Sequence, residues 1–306
     1  MAIIKKAFTC PSTDGIHLLS GVIYEPQIPP VGYLHIVHGM TEHIGRYDRL
    51  MTDAAEAGYI CFGYDALGHG NTAKSDGELG FIANRDGWKL LIDDVKAFSD
   101  SVKKEYGALP YYLLGHSMGS FVVRAAAGKV KPHKLIIMGT AGKNPAADAG
   151  LLLIALIKKI YGDKHFSPLI DNIAFGSYNK RFGGGTQTDP KPWLTCDEEQ
   201  RRLYYADKFC SFNFTVSAMG DLIRLIKEAN SNKFYSEFPK DTEVLLVSGA
   251  DDPVGNYGKG VLEVSRKLSA VGVTQTAIIY EGARHEILND ATYEATKNDI
   301  LKFLGR

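Results

Sequence analysis

Apolar residues along this chain fall into short blocks separated by polar, Gly or Pro punctuation. The blocks at 18–24, 32–37, 59–64, 111–114, 134–138, 243–248 and 275–280 read as strands. Between them the apolar period lengthens. Trp88, Leu91, Val95, Phe98 and Val102 mark one face of a helix over 86–105 that Gly107 closes. Similar patterns predict helices over 47–57, 121–127, 257–271 and 293–303. Strand and helix alternate through short connections, which predicts an α/β fold with a mostly parallel, doubly wound sheet.

The alternation breaks at about residue 142 and resumes near 239. Residues 143–238 hold an apolar helix candidate over 151–160, aromatic-rich loops, Gly183-Gly184-Gly185 and a second helical pattern over 215–229. Such an insert is expected to be a mainly helical cap on a core made of 1–142 and 239–306. Ligands in open α/β sheets sit beyond the carboxyl ends of the strands, and the cap belongs there. The run Leu151 to Ile157 is too short to span a bilayer. It is expected to pack inside the cap or wall an acyl pocket, with transient lipid contact as the less favoured role.

Composition narrows the possibilities. Lys+Arg and Asp+Glu are both 35, so no basic field exists to hold nucleic acid. Met1 to Lys6 is not followed by an apolar h-region, so no signal peptide is expected, and no apolar run is long enough to span a membrane. Cys10, Cys61, Cys196 and Cys210 form no C-x-x-C pair; free thiols in a reducing cytoplasm are expected. His35, His38, His43, Asp65 and His69 crowd one region without a ligand-spaced pair. His35 lies within a strand; metal is therefore not expected, and His38, His43 and His69 are expected to orient loops.

The chemistry centres on Gly115-His116-Ser117-Met118-Gly119, between the 111–114 strand and the 121–127 helix. G-x-S-x-G alone arises by chance; strand before and helix after make it a nucleophile elbow. The serine sits on a turn so tight that its neighbours two residues away must lack side chains. In hydrolases of this fold the acid and then the histidine follow the serine. His285 is the one histidine after residue 165, and it follows the last strand. Asp251 and Asp252 both follow the 243–248 strand. Asp252 precedes Pro253 and is biased to extended backbone, while Asp251 serves equally as a turn residue. An oxyanion hole needs two backbone N–H groups. Met118, at the start of its helix, and Met40, in the His38-Gly39-Met40 loop, are the candidates.

These motifs together resemble the α/β-hydrolase superfamily, and within it the monoacylglycerol lipase/lysophospholipase group of the serine aminopeptidase S33 type. His38-Gly39-Met40-Thr41-Glu42-His43 with Arg46-Tyr47 is similar to that group's H-G-x-x-E-H-x-x-R-Y signature. Asp65 to Gly70 is similar to its D-x-x-G-H-G loop, Gly249 to Val254 to its G-x-x-D-x-V loop, and Gly282 to Glu286 to its G-x-x-H-E loop. The segments 178–182 and 193–195 are similar to cap segments of bacterial members. The resemblance implies an α/β-hydrolase fold and a Ser117–Asp252–His285 triad, deciding for Asp252. It also implies support from His38, Gly39, Glu42, His43, His116 and Val254. It further implies cleavage of monoacylglycerols, lysophospholipids or short-chain esters without cofactor. The same triad serves acyltransferases, thioesterases and peptidases, and a hydrolase-fold receptor would bind without turnover. Oligomeric state is not legible.

Overall fold

The computed structural model describes residues 3–306. In chain order its first half runs β1 (Ile4–Pro11), β2 (Leu18–Glu25), β3 (Gly32–Val37), α1 (Asp48–Glu56), β4 (Tyr59–Tyr64), α2 (Gly87–Tyr106), β5 (Tyr111–His116), α3 (Met118–Val130) and β6 (Lys134–Met138). The β6–β7 connection then carries α4 (Ala147–Tyr161), α5 (Pro168–Phe175), α6 (Glu198–Ala206), α7 (Val216–Ala229) and α8 (Asn232–Glu237). The chain closes through β7 (Glu243–Gly249), α9 (Lys259–Ala270), β8 (Gln275–Tyr280) and α10 (Tyr293–Leu304). No helix among the described residues is long and apolar enough to cross a membrane.

One sheet holds the strands in the order β1-β2-β4-β3-β5-β6-β7-β8, antiparallel at β1–β2 and β2–β4 and parallel from β4 onward. The central strands are apolar on both faces because both faces are covered. Tyr33, Leu113, Leu135 and Leu246 enter the core under α2, α3 and α7, while Leu34, Leu114, Ile136 and Leu245 enter the core under α1 and α10. Ladder register then aligns the strand ends. Val37 pairs with Gly115, His116 with Met138, Met138 with Val247, and Gly249 with Tyr280. The loops after β3, β5, β7 and β8 therefore leave from one edge, and each carries a residue expected at the site.

Three features depart from the expected pattern. β1 is an edge strand whose side chains are mostly exposed, so it lacks an apolar alternation. Within the segment 143–238, expected to be mainly helical, α5, α6 and α8 stand where aromatic-rich loops were expected. The helix expected from 257 starts at Lys259, because Asn256, Tyr257 and Gly258 all take left-handed backbone, with φ of 50°, 57° and 81°.

The apolar run in α4 is also placed differently. α4 packs against α7 and buries Ala147 and Ile154, while Leu152, Leu156 and Ile160 are exposed. None of its residues from 151 to 160 lines the main cavity, so this run is not a pocket wall.

Candidate active site

Ser117 joins β5 to α3 with φ 53° and ψ −118°, a conformation that costs a non-glycine residue on the order of 1–3 kcal/mol. Its surroundings enforce the strain. A Cβ at Gly115 would collide with the Gly119 carbonyl, and one at Gly119 with the Val37 carbonyl. The turn is pinned by Ser117 N–H donating to Met138 O (3.0 Å) and Ser120 Oγ donating to Ser117 O (2.6 Å). Among residues 113–120 only Ser117 is partly exposed, so the turn raises that hydroxyl out of a packed base.

His285 follows β8, and its Nδ1 lies 3.0 Å from Asp252 Oδ2. The distance is that of a hydrogen bond, but the ring is turned so that Nδ1 has no aligned acceptor. Such bonds commonly align only when substrate is bound. The ring is sandwiched between His116 (centroids 4.8 Å apart) and Trp193 (5.3 Å). Asp252 is fully buried; its carboxylate accepts from Ser248 Oγ (3.2 Å) and Val254 N–H (2.9 Å). Asp251 is half-buried and, among the described residues, only its backbone N–H is engaged, with Ala283 O. Of the two aspartates, Asp252 is the one beside His285.

The Met40 N–H is bonded to nothing among the described residues, and the Met118 N–H opens α3, where no intrahelical acceptor exists. The loop carrying Met40 is clamped from both sides. Thr41 holds a left-handed φ of 55°, with Tyr204 O–H and Ser211 N–H both donating to its carbonyl, at 3.0 and 3.1 Å. Gly39 N–H donates to Glu42 Oε1 (2.5 Å), and a Cβ on Gly39 would crowd both Glu42 and Ser117. His38 Nε2 accepts from Ala66 N–H (2.9 Å), so Nδ1 carries the proton donated to Gly39 O (2.7 Å). Burial holds the His38 pKa below its usual value and pushes His69 down to about 3, so both are neutral struts for these loops.

Beneath the site lies a buried charge network. Arg46 donates to Glu42 Oε2 (2.8 Å) and in a fork to both oxygens of Glu286 (2.7 and 2.7 Å). Tyr47 O–H donates to Glu42 Oε1 (2.8 Å) and also lies 2.8 Å from His116 Nδ1. With that hydroxyl proton committed to Glu42, His116 Nδ1–H is the donor to Tyr47. His116 Nε2 lies 3.3 Å from the carbonyl of His285. Burial opposes charge on His116, but Glu42 outweighs it and raises its pKa. Burial likewise opposes charge on Glu286 and Glu42, yet Arg46 holds the first low, and His116 with Arg46 holds the second well below the carboxylate range. Arg46, Tyr47, Glu286, Trp193 and Tyr204 were not anticipated as site residues. The signal was present in a charged Arg46 four residues after Glu42 and in Glu286 beside His285.

Ser117, Met40, Met118, His116, Glu42, Val254 and His285 all border one cavity of about 870 Å³. His38, Gly39 and Asp252 stand behind it. His43 faces away, its Nε2–H donating to Asp207 Oδ2 at 2.9 Å. Ligand atoms of His43, Asp207 and Cys210 lie within 4.8 Å of one another. The His43–Asp207 bond and the positive charge of Arg46 near Cys210 work against a cation there.

A doubly wound sheet with a strained serine turn and a histidine–aspartate pair at its carboxyl edge defines an α/β hydrolase. Residues 28–292 match the Hydrolase_4 family, described as serine aminopeptidase, S33, and the chain belongs to it. Over 280 residues it is 36% identical to the monkeypox virus monoglyceride lipase homolog, covering 91% of this chain and 90% of that protein. Human monoglyceride lipase is 31% identical over 144 residues, which is 47% of this chain and 41% of the relative, so that match spans less than half the relative's length. Among solved structures, a thermostable carboxyl esterase from Bacillus coagulans, in complex with glycerol, superposes with a TM-score of 0.90 at 26% identity, covering 99% of this chain and 98% of the other.

Proposed function

We propose that this protein is a serine esterase that cleaves carboxylic esters of the monoacylglycerol type through an acyl-enzyme. The reading is carried by one observation: a strained, partly exposed Ser117 and a His285–Asp252 pair border the same cavity as Met40 and Met118. Ser117 attacks the ester carbonyl while His285 takes its proton. A small rotation of the imidazole aligns Nδ1–H with Asp252, which stabilises the imidazolium. The N–H groups of Met40 and Met118 receive the developing oxyanion, each worth about 3 kcal/mol. His285 then returns its proton to the leaving alcohol, and water releases the acyl group by the reverse sequence. The steps use side chains and backbone alone.

In this reading, residues 143–238 are the cap over a core of 1–142 and 239–306. The acyl chain lies against Phe121, Phe212, Phe214, Leu222 and Ile226, which line the cavity. Leu152, Leu156, Ile160 and Ile173, exposed on α4 and α5, give the cap an apolar face for transient contact with a lipid surface. A reducing cytoplasmic setting suits the four free thiols. Turnover of monoacylglycerol and p-nitrophenyl esters tests the reading. Ser117→Ala is expected to lose activity by a factor of about 10³ or more while keeping its urea midpoint; near-normal turnover in that variant contradicts it.

A further inference from the structure

Polar side chains that the acyl-transfer chemistry does not use also line the cavity. Lys191 lies there, two residues before the Trp193 that packs on His285, with its Nζ 5.6 Å from the centre of the Tyr204 ring. Its backbone is held rigidly. Lys191 N–H donates to Tyr205 O–H (2.8 Å), Arg284 Nη1 donates to Pro192 O (2.5 Å), and Arg201 Nε donates to the neighbouring Asp189 (2.9 Å). Yet the ammonium has neither an ion pair nor a hydrogen bond among the described residues. Glu286, one of the carboxylates that feel its charge, is already held by Arg46. Asp171, in the first turn of α5, borders the same cavity and feels the Lys191 charge without touching it. Burial pushes the Lys191 amine down and the Asp171 carboxyl up, as for two charged groups short of partners. Asn179 also borders the cavity. Its Nδ2 donates to Pro190 O (2.8 Å), which fixes the amide and leaves a buried Oδ1 with nothing to accept from among the described residues.

We propose that Lys191, Asp171 and Asn179 form a subsite for the leaving group and select an uncharged alcohol bearing free hydroxyls. The proposal rests on the serine-esterase reading. The histidine must protonate the departing oxygen, so the leaving group lies on the His285 side of Ser117, where Trp193 and Lys191 stand. The ammonium donates to one hydroxyl oxygen, and Asp171 and Asn179 Oδ1 accept hydroxyl protons. The facing Lys191 and Asp171 charges cancel. A phosphate in the same place would gain Lys191 but meet Asp171, so a phosphorylated glycerol is disfavoured.

Three octanoyl esters test this because they share one acyl chain: monooctanoylglycerol, ethyl octanoate and monooctanoylglycerol phosphate. Lys191→Met is expected to lower kcat/KM for monooctanoylglycerol about tenfold and leave ethyl octanoate within about twofold. Asp171→Asn is expected to raise the phosphate ester relative to monooctanoylglycerol about tenfold. Urea midpoints of both variants identify any loss that comes from unfolding. If wild type cleaves ethyl octanoate and both variants keep the wild-type substrate ratios, the subsite is overturned and the esterase reading stands. If wild type cleaves none of the three, the esterase reading fails and the subsite falls with it.

Discussion

Replacing Arg46 by Met removes the cation that holds two carboxylates under the site. Arg46 makes three charge-assisted bonds of 2.7–2.8 Å to Glu42 and Glu286, whose side chains are only 5% and 4% exposed. With His116 charged, the four groups sum to zero, and Arg46 is the balance for one of the acids. At an effective dielectric of about 20, each contact pair at roughly 4 Å gains about 4 kcal/mol of Coulomb energy, most of it offset by desolvation. The loss on deletion is larger than that net gain, because Glu286 stays buried without its fork. The expected cost is about 3–5 kcal/mol of unfolding free energy near neutral pH. The sign of the pH dependence follows. In the wild type both acids have lowered pKa values, so their contribution is present above the ordinary glutamate value and fades only as pH falls through the lowered one. In Arg46→Met the Glu286 value rises instead, the folded state takes up a proton first, and the deficit narrows toward about pH 5. Urea unfolding of both proteins across that range measures it. A loss under about 1 kcal/mol, or one independent of pH, refutes the account of this network.

Two further substitutions probe other parts of the structure. Burial raises the Asp221 carboxyl to about 6, with one oxygen, near the start of α2, left unpartnered among the described residues. An acid whose folded value is raised removes stability as pH climbs from about 4 to about 6, so Asp221→Asn is expected to stabilise by about 1–3 kcal/mol at neutral pH and by nothing at the acid end, read from Tm against pH. Gly119→Ala places a methyl against the carbonyls of Val37 and His38, and is expected to cost about 3 kcal/mol in urea unfolding while lowering esterase activity, since the serine turn must shift.

The parts of this molecule that could be read from its sequence are those set by local rules. Strands β3 to β7 are legible because central parallel strands are continuous apolar runs, and α2 because its buried residues recur at helical spacing. β1 escapes notice because an edge strand bearing Lys5 and Lys6 has no buried face to advertise. The short helices α5, α6 and α8 are hidden for a different reason. Each is under ten residues and starts from a side-chain cap, at Ser167, Asp197 and Ser231, rather than from a long apolar stripe. Ser117 and His285 stand out because each follows a strand in a fixed order. Spacing could not separate Asp251 from Asp252, whereas packing does, by burying one beside His285. Arg46 and Glu286 are separated by 240 positions, and only the fold brings such a pair together. The apolar run in α4 shows the opposite limit. Hydrophobicity marked it, but whether it would wall a pocket or face outward depended on where α7 packs.

The central claim is that Ser117 is the nucleophile and that His285 activates it. Intact-mass spectrometry after brief exposure to a fluorophosphonate, followed by peptide mapping, tests it most directly. The account predicts a single adduct per chain, on Ser117, formed rapidly by wild type, at least about a hundredfold more slowly by His285→Ala, and not at all by Ser117→Ala. A stoichiometric adduct on another residue, or labelling of His285→Ala at the wild-type rate, would contradict it.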